Sequence, residues 1–344
     1  MSPRTPARLA HPRPAPRSTA RRRRTPWPRG PDVLTVLGEA VIDLAPSGGG
    51  DLLAAHPGGS PLNVAVGLAR LGRPTAMLAR FSRTSFGHRL RAHAEANGVD
   101  LTWAVADDRP ATLAVVALDA TGAASYDFYL DGTADWHWAP HELDGVPAGT
   151  RVLHTGSLAT LLPPGADLLA DLLAREHAAG RVLVSLDPNV RPAVLADPDA
   201  ARARLLTLAR HAHLVKASDE DLAWLFPGAS VEEAVDRLLD LGVRLVVATR
   251  GAAGSYAATA DVSVARPARR VAVADTVGAG DAFTAGLLDA LVEADAAAPA
   301  AVGALDWARL GAVLDHATLV AGMTCERPGA DPPRCDELAN VVDA

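Results

Sequence analysis

Asp281 is a carboxylate placed where negative charge should be costly. It follows Gly278-Ala279-Gly280 and opens a run of small and apolar residues, Ala282-Phe283-Thr284-Ala285-Gly286-Leu287-Leu288, that reads as a buried helix. Glycines at 278 and 280 let backbone N–H groups close on a ligand, and the unpaired N–H groups and positive dipole end of the helix favour an anion there. An acid beside bound phosphate is repelled unless it acts on the attacking group. In phosphoryl transfer that group is a hydroxyl needing an acceptor for its proton, which is the work of a general base. Asp also caps helices and Gly also makes plain turns, so the Gly-x-Gly-Asp string alone leaves both readings open.

The elements around this turn must hold it. The apolar run 271–274 ahead of Asp275-Thr276-Val277 predicts a strand, which sets the turn at a strand-to-helix junction. Near the start of the chain, Val33–Leu37 reads as the first central strand, with Gly38-Glu39-Ala40-Val41-Ile42-Asp43 as its exit and Asp43 at its C-terminal end. Ligands of open α/β sheets collect at such ends, and a carboxylate can accept from two sugar hydroxyls. Gly58-Gly59-Ser60-Pro61-Leu62-Asn63 then leads into a helix through Leu71, with Pro61 in its first turn and Gly72 past its end. Asn63 is a weak helix former whose amide can donate and accept toward a hydroxyl-rich ligand, or cap locally.

Further along, 76–80 reads as a strand, and a helix from Phe86-Gly87 through 96 ends at Asn97-Gly98. The runs 112–119 and 125–130, around the turn 120–124, predict a β-hairpin. From Arg151 strands at 152–154, 182–186, 214–216 and 245–248 alternate with helices at 166–179, 200–212 and 231–241, which argues for a largely parallel sheet covered on both faces. Helices follow at 282–294 and 308–323. Polar clusters close the strands: Asp187-Pro188-Asn189-Val190-Arg191, Lys216-Ala217-Ser218-Asp219-Glu220-Asp221, and Thr249-Arg250-Gly251-Ala252-Ala253-Gly254. In the second cluster Ser218 or Asp219 could cap the next helix.

The 344 residues are 49% hydrophobic, enough for one large α/β domain, and contain no apolar run that would span a membrane. Residues 1–31 are rich in Pro, Arg, Ser and Thr and predict a disordered basic tail without the apolar core of a secretory signal. Nine arginines and no acid lie before residue 31, so the overall charge of −7 conceals −16 on the remainder, which speaks against nucleic acid as a partner. Two cysteines, Cys325 and Cys335, form no disulfide framework or zinc pattern and suit a reducing cytoplasm.

The stretch 275–288 closely resembles the C-terminal signature of the PfkB carbohydrate kinases, the ribokinase-like family. Gly38-Glu39…Asp43 and Gly58-Gly59…Asn63 resemble that family's N-terminal sugar-binding motifs, in the family's order and more than two hundred residues upstream. The three strand-end clusters resemble its nucleotide-site segments, and Arg327-Pro328-Gly329-Ala330 its closing turn near the adenine.

The resemblance implies a ribokinase-like three-layer α/β fold over 32–344, with a mostly parallel central sheet and a small β lid from about 105–135. It implies an ATP-dependent kinase acting on a sugar's primary hydroxyl. Asp281 would be the base and Gly278, Ala279 and Gly280 the anion hole. Asp43, Gly58, Gly59 and Asn63 would hold the sugar, with Tyr126 or Phe128 of the lid stacking on it. Asn189, Lys216, Ser218, Thr249, Gly251 and Gly254 would meet ATP. Asp221 would organise Mg²⁺, and Asp275 with the Val277 carbonyl would hold a monovalent cation such as K⁺. Two lids would pair in a homodimer. Within the family the motifs look most like fructokinases; 2-keto-3-deoxygluconate kinases share much of the pattern and ribokinase less. Two departures stand out. Ser82-Arg83-Thr84 replaces the acids usual before Phe86-Gly87, and Ser218 and Asp221 stand where Asn and Glu are commonest.

Two other classes fit less well. A dinucleotide-dependent oxidoreductase would carry Gly-x-Gly-x-x-Gly after the first strand, where this chain has none. A non-catalytic sugar- or nucleotide-binding regulator on the same fold would have lost the base, and Asp281 is present.

Overall fold

The computed structural model describes residues 32–47, 52–118 and 124–342, so the expected tail at 1–31 and most of the expected turn at 120–124 lie outside the described residues. The chain opens with β1 (Val33–Leu37), β2 (Val41–Pro46), β3 (Leu53–Gly58), α1 (Ser60–Arg70), β4 (Thr75–Leu78), β5 (Arg80–Ser82), α2 (Ser85–Ala96), β6 (Val105–Asp107), β7 (Leu113–Leu118) and β8 (Ala124–Tyr129). It continues through β9 (Thr150–Gly156), α3 (Gly165–Ala179), β10 (Leu183–Asp187), α4 (Pro198–Ala209), β11 (Leu214–Ser218), α5 (Asp219–Leu225), α6 (Val231–Asp240) and β12 (Leu245–Thr249). It closes with β13 (Ser255–Ala258), β14 (Ser263–Arg266), α7 (Ala279–Glu293), α8 (Pro299–Val302), α9 (Trp307–Cys325) and α10 (Cys335–Val342).

Eight strands form the main sheet in the order β14-β13-β12-β11-β10-β9-β1-β4, parallel from β12 to β4 and antiparallel at β13 and β14. Strands buried on both faces must be apolar almost throughout, as Val33-Leu34-Thr35-Val36-Leu37 is. Alternation then builds two cores. Leu34, Val36 and Val152 pack with α1, α7 and α9, while Leu37, Leu153 and Val184 pack with α3, α4, α5 and α6. Three layers result, as the resemblance implies.

A second sheet, in the order β3-β2-β7-β8, forms the lid. Two corrections to the expectations arise here. Half the lid comes from residues 41–58, ahead of the expected 105–135, and β6 pairs with β5 outside the lid. The β2–β3 hairpin was hard to read because Leu53-Ala54-Ala55-His56-Pro57-Gly58 has little β-propensity and Pro46 and Pro57 imitate loop punctuation. Asp43 accordingly sits third in β2, in the lid, and not at the end of the first central strand.

The third correction concerns 271–274, which is irregular. Its alternating Val and Ala favour a strand, but it pairs with no strand among the described residues; the N–H groups of Ala274 and Asp275 donate to the Cys325 carbonyl at the end of α9. Propensity without a ladder partner makes no strand.

Candidate active site

Three polar residues stand at the C-terminal ends of adjacent parallel strands: Asp187 ends β10, Ser218 ends β11, and Thr249, register partner of Ser218, ends β12. This is the edge where α/β sheets bind ligands. Lys216, two residues inside β11, places Nζ 2.9 Å from Asp187 Oδ2, and the Thr284 hydroxyl donates to the same oxygen at 3.3 Å. The ion pair is almost wholly buried. Burial opposes the Lys216 ammonium, but the Asp187 charge and hydrogen bond outweigh it and hold its pKa above the ordinary lysine value. A Cβ added at Gly280 would lie 3.3 Å from that Nζ, so the ammonium sits directly against the Gly-x-Gly turn.

Gly278 is the N-cap of α7 with φ +73°, a left-handed conformation costly for a residue with a side chain, and a Cβ there would come 2.5 Å from the Ala330 Cβ. Asp275 staples the turn: Oδ1 accepts the Val277 N–H at 3.0 Å and Oδ2 the Gly329 N–H at 2.8 Å. Ala279 and Gly280 begin the helix without a side-chain cap, and Asp281 lies in its first turn.

Asp281 does not turn back on its own helix. Its Oδ1 accepts from Ser60 Oγ at 2.6 Å and its Oδ2 from Asn63 Nδ2 at 2.8 Å, both from the first turn of α1. The two helices can meet so closely because Gly67 lacks a side chain; a Cβ there would stand 2.7 Å from the Ala285 Cβ. Burial is the largest influence on Asp281 and raises its pKa above the ordinary aspartate value, while the bonds from Ser60 and Asn63 pull it down.

Asp43 faces this group from the lid. Burial, then the charge of Asp281, push its pKa up to about 6, and Arg191 acts in the opposite direction. Gly58 on the neighbouring strand makes room, since a Cβ there would lie 2.0 Å from Asp43 Oδ2. Gly59, at φ +100°, carries the chain from the lid into α1. The structure therefore brings Asp43, Gly58, Gly59, Asn63 and the 278–281 turn to one place, with Lys216 and Asp187 behind it. Phe128 lines a cleft of about 740 Å³ between β7, β8 and Ala193-Val194; the side chain of Tyr126 lies outside those described.

The nucleotide-side expectations divide. Asn189, at φ +40°, turns its Oδ1 to Arg191 Nη1 at 2.7 Å. Thr249 reaches the Ala217 carbonyl at 3.5 Å, and the turn behind it closes tightly through Gly251 and Gly254, where a Cβ at 254 would strike the Arg266 carbonyl at 2.0 Å. Asp221, the expected metal organiser, has both oxygens engaged by neighbouring donors. Oδ2 takes the Ser218 N–H and Oγ at 2.9 and 2.8 Å, and Oδ1 takes the Val190 N–H at 2.7 Å. Ser218 and Asp221 form a capping box for α5. No cluster of three acidic, His or Cys side chains forms a metal cage among the described residues. That donor set fits Mg²⁺ only as an ion carried by nucleotide phosphates and water.

Two residues of the site escaped the sequence reading. Ser60 has no signal of its own within the 58–63 motif, though a Ser and an Asn three residues apart at a helix start can both reach one partner. Asp187 reads in sequence as a strand-end residue, though the chain's single lysine needs a counter-charge if buried.

Comparison with known proteins assigns the family. Residues 34–335 match the model of the pfkB family of carbohydrate kinases. A fructokinase of Rhizobium leguminosarum bv. trifolii is 38% identical over 257 residues, covering 74% of this chain and 78% of the relative. The crystal structure of Xylella fastidiosa fructokinase with bound ATP superposes with a TM-score of 0.83 at 26% identity, over 90% of this chain and 98% of that one. Vibrio cholerae O395 fructokinase, in a double-mutant form with fructose, ADP and potassium ion, gives 0.77 at 28% identity, over 87% and 94%. The chain belongs to the pfkB family of carbohydrate kinases.

Proposed function

We propose that this ATP-dependent sugar kinase phosphorylates a primary hydroxyl of fructose, with Asp281 as the base. The observation that carries the reading is the Asp281 carboxylate, buried at the start of α7, fixed by Ser60 and Asn63, and facing Asp43 across the space under the lid. A hydroxyl held by Asp43 would meet a proton acceptor whose position is set by α1. The first-turn backbone of α7 and the Lys216 ammonium behind Gly280 would offset charge on the transferred phosphoryl. Nucleotide phosphates would lie across the ends of β11 and β12, near Ser218 and the turn 249–254. Mg²⁺ bound to those phosphates would neutralise them. A monovalent cation at Asp275 and the Val277 carbonyl belongs to the same reading, as does a reducing cytoplasmic setting; among the described residues no helix is long and apolar enough to cross a membrane.

Fructose is favoured because the Rhizobium relative is named a fructokinase and the Vibrio cholerae structure holds fructose. Incubation with ATP, Mg²⁺ and D-fructose, D-ribose and 2-keto-3-deoxygluconate in parallel tests it by kcat/KM. Fructose should lead; a higher value for either rival would move the specificity while keeping the kinase. Exposed Leu53 and Tyr129 on the two edge strands of the lid support pairing of two copies there. Sedimentation of Leu53→Asp against the unaltered protein reads that pairing.

A further inference from the structure

The lid joins the body at four crossings, and three of them meet at one buried side chain. Asp135, shortly past β8, accepts the Ala40 N–H on Oδ1 at 3.0 Å, in the crossing from β1 to β2. Its Oδ2 lies 2.6 Å from Thr112 Oγ1, one residue before β7. Thr112 Oγ1 in turn lies 2.7 Å from Thr133 Oγ1, which lies 2.8 Å from the Leu130 carbonyl, both just past β8. Thr112, Thr133 and Asp135 are all buried.

Protons can be counted along this chain. Three oxygen–oxygen contacts, of 2.6, 2.7 and 2.8 Å, run from Asp135 to Leu130, and the two threonine hydroxyls bring only two protons. With Asp135 as a carboxylate, one contact would press two lone pairs together away from water. A carboxylic acid supplies the missing proton. Asp135 then donates to Thr112, Thr112 to Thr133 and Thr133 to Leu130, while the acid's other oxygen keeps the Ala40 bond.

The surroundings weigh the same way. Burial is the largest influence and pushes the Asp135 carboxyl up to about 6, against hydrogen bonds from Thr112, Ala40 and its own backbone. Glu39, in the turn between β1 and β2, is a second buried acid whose pKa rises to about 7, chiefly by burial. Arg80 of β5 approaches through a bond to the Ala134 carbonyl, but its guanidinium is held by Asp107 and Glu142.

We propose that Asp135 is a positioning residue for phosphoryl transfer: as a neutral acid it completes the hydrogen-bond chain with Thr112 and Thr133 that sets the lid, and with it Asp43, over Asp281. The kinetic consequence rests on Asp43 binding sugar, as proposed above; the protonation does not. Asn at 135 reproduces the neutral acid, since its carbonyl accepts from Ala40 and its NH₂ donates to Thr112, and Ala reproduces neither bond.

Infrared difference spectra of the full chain against Asp135→Asn, taken at the pH of the kinetic assays, should show the carbonyl stretch of a protonated carboxylic acid that the variant lacks. In steady-state assays Asp135→Asn should keep the unaltered kcat and KM. Asp135→Ala should raise KM for the sugar about ten- to a hundredfold and leave KM for ATP within about twofold. Where Asp135→Ala does not fold, Thr112→Val removes the central hydroxyl at nearly constant shape and should show the same split. Absence of the band, an Asn variant as impaired as the Ala variant, or equal rises in both KM values would overturn the assignment. If no sugar is phosphorylated, the proposed function fails, and the infrared band still decides the state of Asp135.

Discussion

Helices α5 and α7 begin alike and end up with opposite uses for the same residue. Asp221 and Asp281 each occupy the third helical position, three residues after the N-cap. In α5 that cap is Ser218, whose hydroxyl and N–H draw the Asp221 carboxylate back into a capping box. In α7 the cap is Gly278, which has no side chain to reciprocate, and Asp281 reaches outward to Ser60 and Asn63 on another helix. One residue, three places earlier, decides whether an acid is consumed by its own helix or left for chemistry. The open helix start also leaves its dipole end uncapped by any side chain, which is what an anion site requires.

Replacing each acid by its amide should separate the two most sharply. Asp281→Asn keeps a group that Ser60 can donate to but loses the proton acceptor, so kcat should fall by about 10²–10⁴ with the fold intact. Asp221→Asn should leave kcat within about tenfold and instead lower stability by about 1–2 kcal/mol through a weakened cap. Rates and thermal unfolding measured on both variants check this. Equal losses of kcat would erase the distinction between the two helix starts.

A second test tries to make α7 resemble α5. Gly278→Ser supplies the hydroxyl, yet φ of +73° and a Cβ 2.5 Å from the Ala330 Cβ oppose it, so the variant should lose about 1–3 kcal/mol and bind ATP less well. Thermal unfolding and ATP titration report both effects. A Ser variant more stable than the parent, with Asp281 drawn into a cap, would show that backbone geometry does not maintain the difference.

Sequence alone carried the body well because its signals are local. Apolar runs such as Val33–Leu37 and Leu245–Thr249 can only be buried strands in this context, and the 278–281 turn is written in four consecutive residues. It carried the lid poorly because β2 and β3 are held by pairing across a hairpin, not by their own propensity. The same limit applies within the site. Asp43, Asn63 and Asp281 could be singled out by residue type, but that Asn63 serves Asp281 directly depends on a helix contact made at Gly67 and Ala285. The capping box at Ser218 is visible as a pattern in sequence, but that the other Asp221 oxygen takes the Val190 N–H depends on a loop brought alongside by the fold.

The smallest expected effect sharpens the comparison at the level of charge. Asp281 must be ionised to accept a proton, so activity falls as pH drops through its pKa. Burial sets that pKa above the ordinary value, and the Ser60 hydroxyl stabilises the charged form and lowers it. Ser60→Ala removes that donor while Asn63 still holds the other oxygen. The acid limb of the kcat profile should then move to higher pH, by roughly one unit for a lost hydrogen bond to a charged group worth about 1.5 kcal/mol. Above the limb, kcat should approach the unaltered value, because the carboxylate remains in place. The matching change in α5, Ser218→Ala, removes a donor from an acid that takes no part in proton transfer and should lower stability without moving the limb. If Ser60→Ala leaves the limb where it was, or moves it to lower pH, the hydroxyl does not tune Asp281, and α1 acts on the base through Asn63 alone.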